Sequence, residues 1–298
     1  MKSMSMLFSA GAAIVLAACQ TVAPKDQPEG LSADAVAALD AALQAQTDEA
    51  KARYGARNPS ETIAFFEIEP GMTVVEALPG GGWYSKILIP YLGPEGELIA
   101  AHYPDALWPA LFGENADPER VAGFIARADG WAEGAREWYG DEGASVQQYK
   151  MTDGQVAENA GTVDAVLFIR ALHNLNRTES EMGVMSGALE EAFMLLKPGG
   201  VIGVVQHRGP EGNSDEWAVG NAGYLKQSDV IATFEAAGFE LDATSEINAN
   251  PLDVPSNEDI VWRLKPSLGT TEEGTPERAA LEAIGESDRM TLRFRKPV

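Results

Sequence analysis

Cysteine is almost missing from this chain: Cys19 is the only one among 298 residues. That leaves no internal disulfide framework and no cysteine-rich zinc site. Basic residues are also scarce, with 22 Lys and Arg against 45 Asp and Glu, for a net charge of −23. So acidic a chain repels phosphate backbones, which argues against nucleic acid as a partner. Histidine occurs only three times. The apolar run at residues 4–16 is too short to cross a bilayer comfortably, yet right for a signal-peptide core. What is present is 45% hydrophobic residues, enough for a sizeable core and incompatible with disorder throughout. The length fits one large domain or two small ones.

The N-terminus reads as an export signal. Met1-Lys2-Ser3 gives a short positive start, and the apolar run ends in Leu16-Ala17-Ala18-Cys19. These four residues resemble the lipobox of bacterial lipoproteins, which implies cleavage before Cys19 and its acylation. Gln20, rather than Asp, follows the cysteine, and by that resemblance the anchor lies at the periplasmic face of the outer membrane. The polar stretch QTVAPKDQPEG then suits a tether leaving a membrane. Residues 1–19 are thus expected to be a signal peptide, 20–57 a tether with an N-terminal helix, and 58–298 the main domain.

Strand and helix signals alternate through the remainder. Leu31, Ala35, Val36, Leu39 and Leu43 recur at helical spacing, with Gly55 as a stop. Asn58-Pro59-Ser60 starts another helix. Strands are expected at 73–78, 97–102, 145–149, 163–169, 201–206 and 239–247. The run at 163–169 is almost wholly apolar, as a strand covered on both faces should be. Residues 105–140 read as helices or a lid-like insertion, and 179–196 as one helix ended by the breaker Lys197-Pro198-Gly199-Gly200. Residues 228–237 form another helix, and 248–286 read as acidic loop. Met290 to Arg295 alternates strictly and suits a terminal, antiparallel strand.

Between the first strand and the next helix lies Pro79-Gly80-Gly81-Gly82. Small residues there let a ligand approach the backbone at a helix N-terminus, and ligands of open α/β sheets sit at this edge. The block RNPSETIAFFEIEPGMTVVEALPGGGWYSKIL resembles the start of the class I S-adenosylmethionine-dependent methyltransferase core. VDAVLFIRALHNL and LKPGGVIGVVQHR are similar to its fourth and fifth strand motifs, and GYLKQSDVIATFEAAGFEL with DRMTLRFRKP to its closing elements. The resemblance spans residues 58–298 and implies a Rossmann-like, mostly parallel seven-stranded sheet with helices on both faces. It also implies S-adenosyl-L-methionine as cofactor over the first two strands. Glu76, Gly80, Gly81 and Gly82 then match the cofactor loop, His102 takes the place of the acidic residue that binds the ribose, and Asp153 falls near the adenine. Leu78 stands where the family has its first glycine.

All three histidines, His102, His173 and His207, are expected at carboxyl ends of strands. His173 is the preferred catalytic base or hydrogen-bond donor, because its loop borders the substrate side in the family. A three-histidine metal site is disfavoured by their placement on different strands. Arg170 and Arg208 also lie at strand ends, to grip an anionic substrate group or to pair with acidic neighbours, the second being favoured in so acidic a chain. Trp83, directly after the glycines, is the tryptophan most suited to a ligand contact. The leading expectation is an envelope-anchored methyltransferase acting on a small-molecule acceptor. A non-catalytic lipoprotein using the same fold to bind a metabolite or protein is the alternative, because the methyl donor is a cytosolic metabolite. A dinucleotide-dependent oxidoreductase fits less well, since the glycine spacing departs from GxGxxG.

Overall fold

A computed structural model of the protein describes residues 30–298 except 155, 157 and 158. The signal segment with Cys19, and the tether before Gly30, lie outside the described residues. Among the described residues no helix is long and apolar enough to cross a membrane.

Among the described residues eight strands form the sheet: β1 Thr73–Ala77, β2 Glu97–His102, β3 Ser145–Lys150, β4 Val163–Ile169, β5 Leu196–Gly209, β6 Leu225–Lys226, β7 Glu240–Ser245 and β8 Arg289–Arg295. Their order is β3-β2-β1-β4-β5-β8-β7, with the two-residue β6 beside the end of β5. The first five strands run parallel, and β8 lies antiparallel between β5 and β7. This is the expected seven-stranded pattern plus one short strand. The chain winds outward from β1 to β3 and returns to place β4 on the other side of β1. Ligands of such sheets bind in the crevice opened at that reversal, beyond the carboxyl ends of β1 and β4.

Period-two alternation explains why both faces of the sheet are covered. On β1, Val75 and Ala77 join one core with Val166, Phe168 and the helix Val184–Leu195. Val74 turns to the other, with Leu167, Ile87 of the helix Ser85–Leu92 and Leu39 of the helix Ala33–Gln44. Ser32 caps this last helix by accepting from the Ala35 amide.

Three stretches differ from the sequence reading. The Lys197–Gly200 breaker ends the helix but belongs to β5, which begins at Leu196 with an irregular register against β4. The Gly199 amide donates to the Lys296 carbonyl and the Lys296 amide to that of Gly200, so the end of the chain pairs this turn into the sheet. The helix expected over 179–196 is split by Gly183, whose φ of 61° is left-handed. The acidic segment 248–286 holds a helix, Pro276–Ile284, capped by Thr275 with proline in its first turn.

Candidate functional site

Two hollows open at the carboxyl edge and meet at the glycine loop. Both are lined by Leu78, Gly80, Gly81, Arg170 and Asn174. Their volumes are about 490 and 560 Å³, within the usual range for small-molecule sites. Leu78 directly follows β1 with a φ of 55°, and Arg170 directly follows β4 with the same value. Two non-glycine residues in the left-handed region, facing each other across the reversal, are strain of the kind that marks functional edges. At Leu78 the backbone takes the shape a glycine would take there freely.

The first hollow lies over β1 and β2. Its walls are His102, Tyr103, Trp108, Phe124 and Trp131. The segment 105–140 supplies most of them from the helices Leu107–Phe112, Pro118–Asp129 and Trp131–Arg136, confirming it as helical cover over the sheet edge. Trp108 stacks on Phe124 with centroids 4.7 Å apart, and the Trp131 indole donates to the Gly80 carbonyl at 2.9 Å. His102 Nε2 and Trp108 Nε1 are buried without a partner among the described residues. Burial, reinforced by Lys150, pushes the His102 pKa down to about 4, so its ring is neutral near pH 7.

The second hollow lies over β1, β4 and β5. His173 and His207 line it together, with ring centroids 5.3 Å apart, and Trp262 stands edge-on to His173. Gln206 donates through Nε2 to the Gly223 carbonyl at 3.0 Å, which turns its Oε1 toward His173 Nδ1 at 3.3 Å. The Nδ1 proton is thereby held, and the lone pair falls on Nε2. Burial pushes His173 down to about 4 and His207 well below the usual histidine range. His207 Nδ1 also meets Ser287 Oγ at 2.5 Å. Two neutral imidazoles thus face the hollow at neutral pH.

The segment before the sheet closes this hollow. Gln46, Arg53 and Arg57 line it, and Gln46 is tied to the Lys86 carbonyl at 2.8 Å. Arg57 lies over the Trp83 ring, 4.5 Å from its centroid. Glu286 pairs with Arg53, Arg57 and Arg289. Burial alone would raise the Glu286 pKa, but the three guanidiniums outweigh it and hold the carboxyl below its ordinary value.

Of the residues singled out in the sequence, Leu78, Gly80, Gly81, Trp83, His102, Arg170, His173 and His207 line one hollow or both. Glu76 and Gly82 line neither. Glu76 is buried and accepts from Ser85 Oγ at 2.5 Å, and burial pushes its pKa up to about 7. Gly82 has a φ of 75°, and a side chain there would run into Trp138. Asp153 is exposed in the turn after β3, outside the lining of both hollows. Arg208 is paired, as expected, with Glu246 and Asp288. Arg170 is not: among the described residues its side chain has no ion pair or hydrogen bond, and its Nε is buried without a partner. No group of three His, Cys, Asp or Glu among the described residues is arranged to hold a metal ion. Sequence reasoning missed Arg53, Arg57, Tyr103 and Phe124, which reach the site only through the fold.

No protein-family model matches the chain, and no curated protein sequence does either. Solved structures do. Geranyl diphosphate C-methyltransferase from Streptomyces coelicolor, in complex with Mg²⁺, geranyl diphosphate and S-adenosyl-L-homocysteine, is 14% identical. The match covers 86% of this chain and 87% of that one, with a TM-score of 0.50. An arsenic(III) S-adenosylmethionine methyltransferase from Chlamydomonas reinhardtii is 17% identical, covering 88% and 73%, with a TM-score of 0.44. A SAM-dependent methyltransferase from Aquifex aeolicus is 18% identical, covering 70% and 93%, also at 0.44. The likeness to the Streptomyces structure is one of fold, the class I methyltransferase fold.

Proposed function

We propose that the chain is an S-adenosylmethionine-dependent methyltransferase acting on a small-molecule acceptor, held in the cell envelope by a lipid at Cys19. The observation that carries this reading is the pair of hollows meeting at Gly80 and Gly81, at the edge where the sheet reverses. The first hollow suits a nucleoside. Tyr103, Trp108 and Phe124 offer aromatic faces to a base, and the unpartnered His102 Nε2 suits a ribose hydroxyl. Gly81 leaves open space where a Cβ would stand, so a ligand can lie against the loop backbone. When bound, the cofactor supplies an electrophilic methyl carbon on a sulfonium.

The second hollow is then the acceptor side. His173 Nε2, with its lone pair free, takes a proton from an acceptor nucleophile, while Gln206 keeps the ring in that tautomer. Alignment of acceptor and donor in adjoining hollows supplies most of what direct transfer needs.

Isothermal titration of the full-length protein with S-adenosylhomocysteine tests this. The expected outcome is binding in the micromolar range with a rise in the unfolding temperature. No heat and no thermal shift at millimolar ligand would overturn the reading.

A further inference from the structure

The second hollow is charged opposite to its molecule. The chain carries −23, yet among the described residues Arg53, Arg57, Lys86 and Arg170 line this hollow against the single carboxylate of Glu49. Immediately behind, Glu286 is already shared by Arg53, Arg57 and Arg289. Both histidines there are neutral near pH 7.

Two of these guanidiniums lack anions of their own. Arg57 is 1% exposed; its Nε reaches Glu286 only at 3.4 Å, and Nη1 and Nη2 have no hydrogen-bond partner among the described residues. Burial and the neighbouring Arg170 press its pKa down to about 9, which still leaves it charged at neutral pH. Arg170 has no side-chain partner among the described residues, and it stands on strained backbone. Burial presses its pKa down too, opposed by Glu286 and reinforced by Arg289. Buried, charged donors without partners are among the costliest arrangements in a fold, and a guanidinium fork matches the two oxygens of a carboxylate or phosphate.

The proposed cofactor does not remove this excess. With a sulfonium and an ammonium against one carboxylate it is a net cation, and its carboxylate can satisfy one guanidinium at most. We infer that the methyl acceptor is a small organic anion whose carboxylate or phosphate is gripped between Arg57 and Arg170 in the second hollow. As a statement about the acceptor, this rests on the methyltransferase reading. The anion site itself rests on the two arginines.

Inorganic phosphate and succinate are the probes, titrated calorimetrically into the full-length protein with and without saturating S-adenosylhomocysteine. At least one of them is expected to bind at millimolar concentration or below, no more weakly with the nucleoside present, and the tighter of the two indicates which oxyanion the acceptor bears. Arg57→Gln and Arg170→Gln should each weaken that binding at least tenfold, while Arg57→Gln holds S-adenosylhomocysteine within threefold of wild type. Should Arg57→Gln fail to fold, Arg170→Gln decides the matter. It breaks no hydrogen bond or ion pair among the described residues and removes a charge that burial disfavours, so it should unfold close to the wild-type temperature. The inference is overturned if neither anion binds, or if anion and S-adenosylhomocysteine compete and the substitutions weaken both alike, because the guanidiniums would then serve the carboxylate of the cofactor. Arginine-dependent anion binding without any S-adenosylhomocysteine binding would keep the anion site and remove the methyltransferase reading.

Discussion

Gly81→Val is expected to bind S-adenosylhomocysteine at least ~100-fold more weakly than wild type, a loss of about 2.7 kcal/mol, while unfolding at nearly the same temperature. Gly82→Ala is expected to fail in the opposite manner. At Gly81 no atom lies within 4 Å of the point a Cβ would take, φ is outside the left-handed region, and the residue lines both hollows. Added methyl groups therefore occupy ligand space and disturb little of the protein. At Gly82 a Cβ would run into the Trp138 ring, and the φ of 75° is one that alanine adopts only with strain. Overpacking and left-handed strain together amount to about 3 kcal/mol, lowering the unfolding temperature by on the order of 10 °C. Thermal unfolding and nucleoside titration of the two variants separate ligand space from scaffold. Equal loss of affinity in both, with equal stability, would mean that the loop does not divide in this way.

Glu76→Gln is expected to stabilise the protein above pH 7 by about 3 kcal/mol and to leave it nearly unchanged below about pH 4.5. The sign follows from burial. Removal from water raises the carboxyl pKa from 4.5 to about 7, and Ser85 and the charge of Arg170 offset this only in part. A folded-state pKa above the unfolded value means the folded chain holds its proton more tightly. That contribution is complete below about pH 4.5, falls as pH rises through 7, and is gone above it. Glutamine has no charge to bury and can still accept from Ser85. Denaturant unfolding at pH 4 and pH 8 measures the effect, and a pH-independent difference between the two proteins would contradict it. A stabilising change at a buried carboxylate is the usual sign that function, rather than folding, keeps the charge.

The strands of the parallel core were legible because each is covered on both faces. Thr73–Ala77, Glu97–His102 and Val163–Ile169 lie almost where their apolar runs put them, and β-prone residues flanked by Pro and Gly define such segments locally. Pro276–Ile284 was not legible as a helix by that signal, since none of its residues is buried, although Thr275-Pro276 is a start signal in its own right. The site divides in the same way. The rule that ligands gather at carboxyl edges leads to Gly80, Gly81, His102 and His173 directly. Nothing local marks Arg57, an arginine in a polar stretch; Trp83, Glu286 and the neighbouring Arg170 give it meaning, and the last two lie far away in sequence. The aromatic hollow depends likewise on three short helices folding back over β2. For Arg170, the acidic composition favoured an ion pair, but composition does not say which carboxylates the topology brings within reach.

Because Arg53 and Arg57 precede the first strand while Glu286 and Arg289 come at the last, the pocket is a seam where opposite ends of the polypeptide are stitched together. A fragment cut to begin at Asn58 would retain every strand of the sheet and the whole glycine loop. It would nonetheless have lost one wall of its own binding chamber, and with it the helix Ala33–Gln44 that covers one face of the sheet, so the segment ahead of the sheet serves the core and the chamber at once.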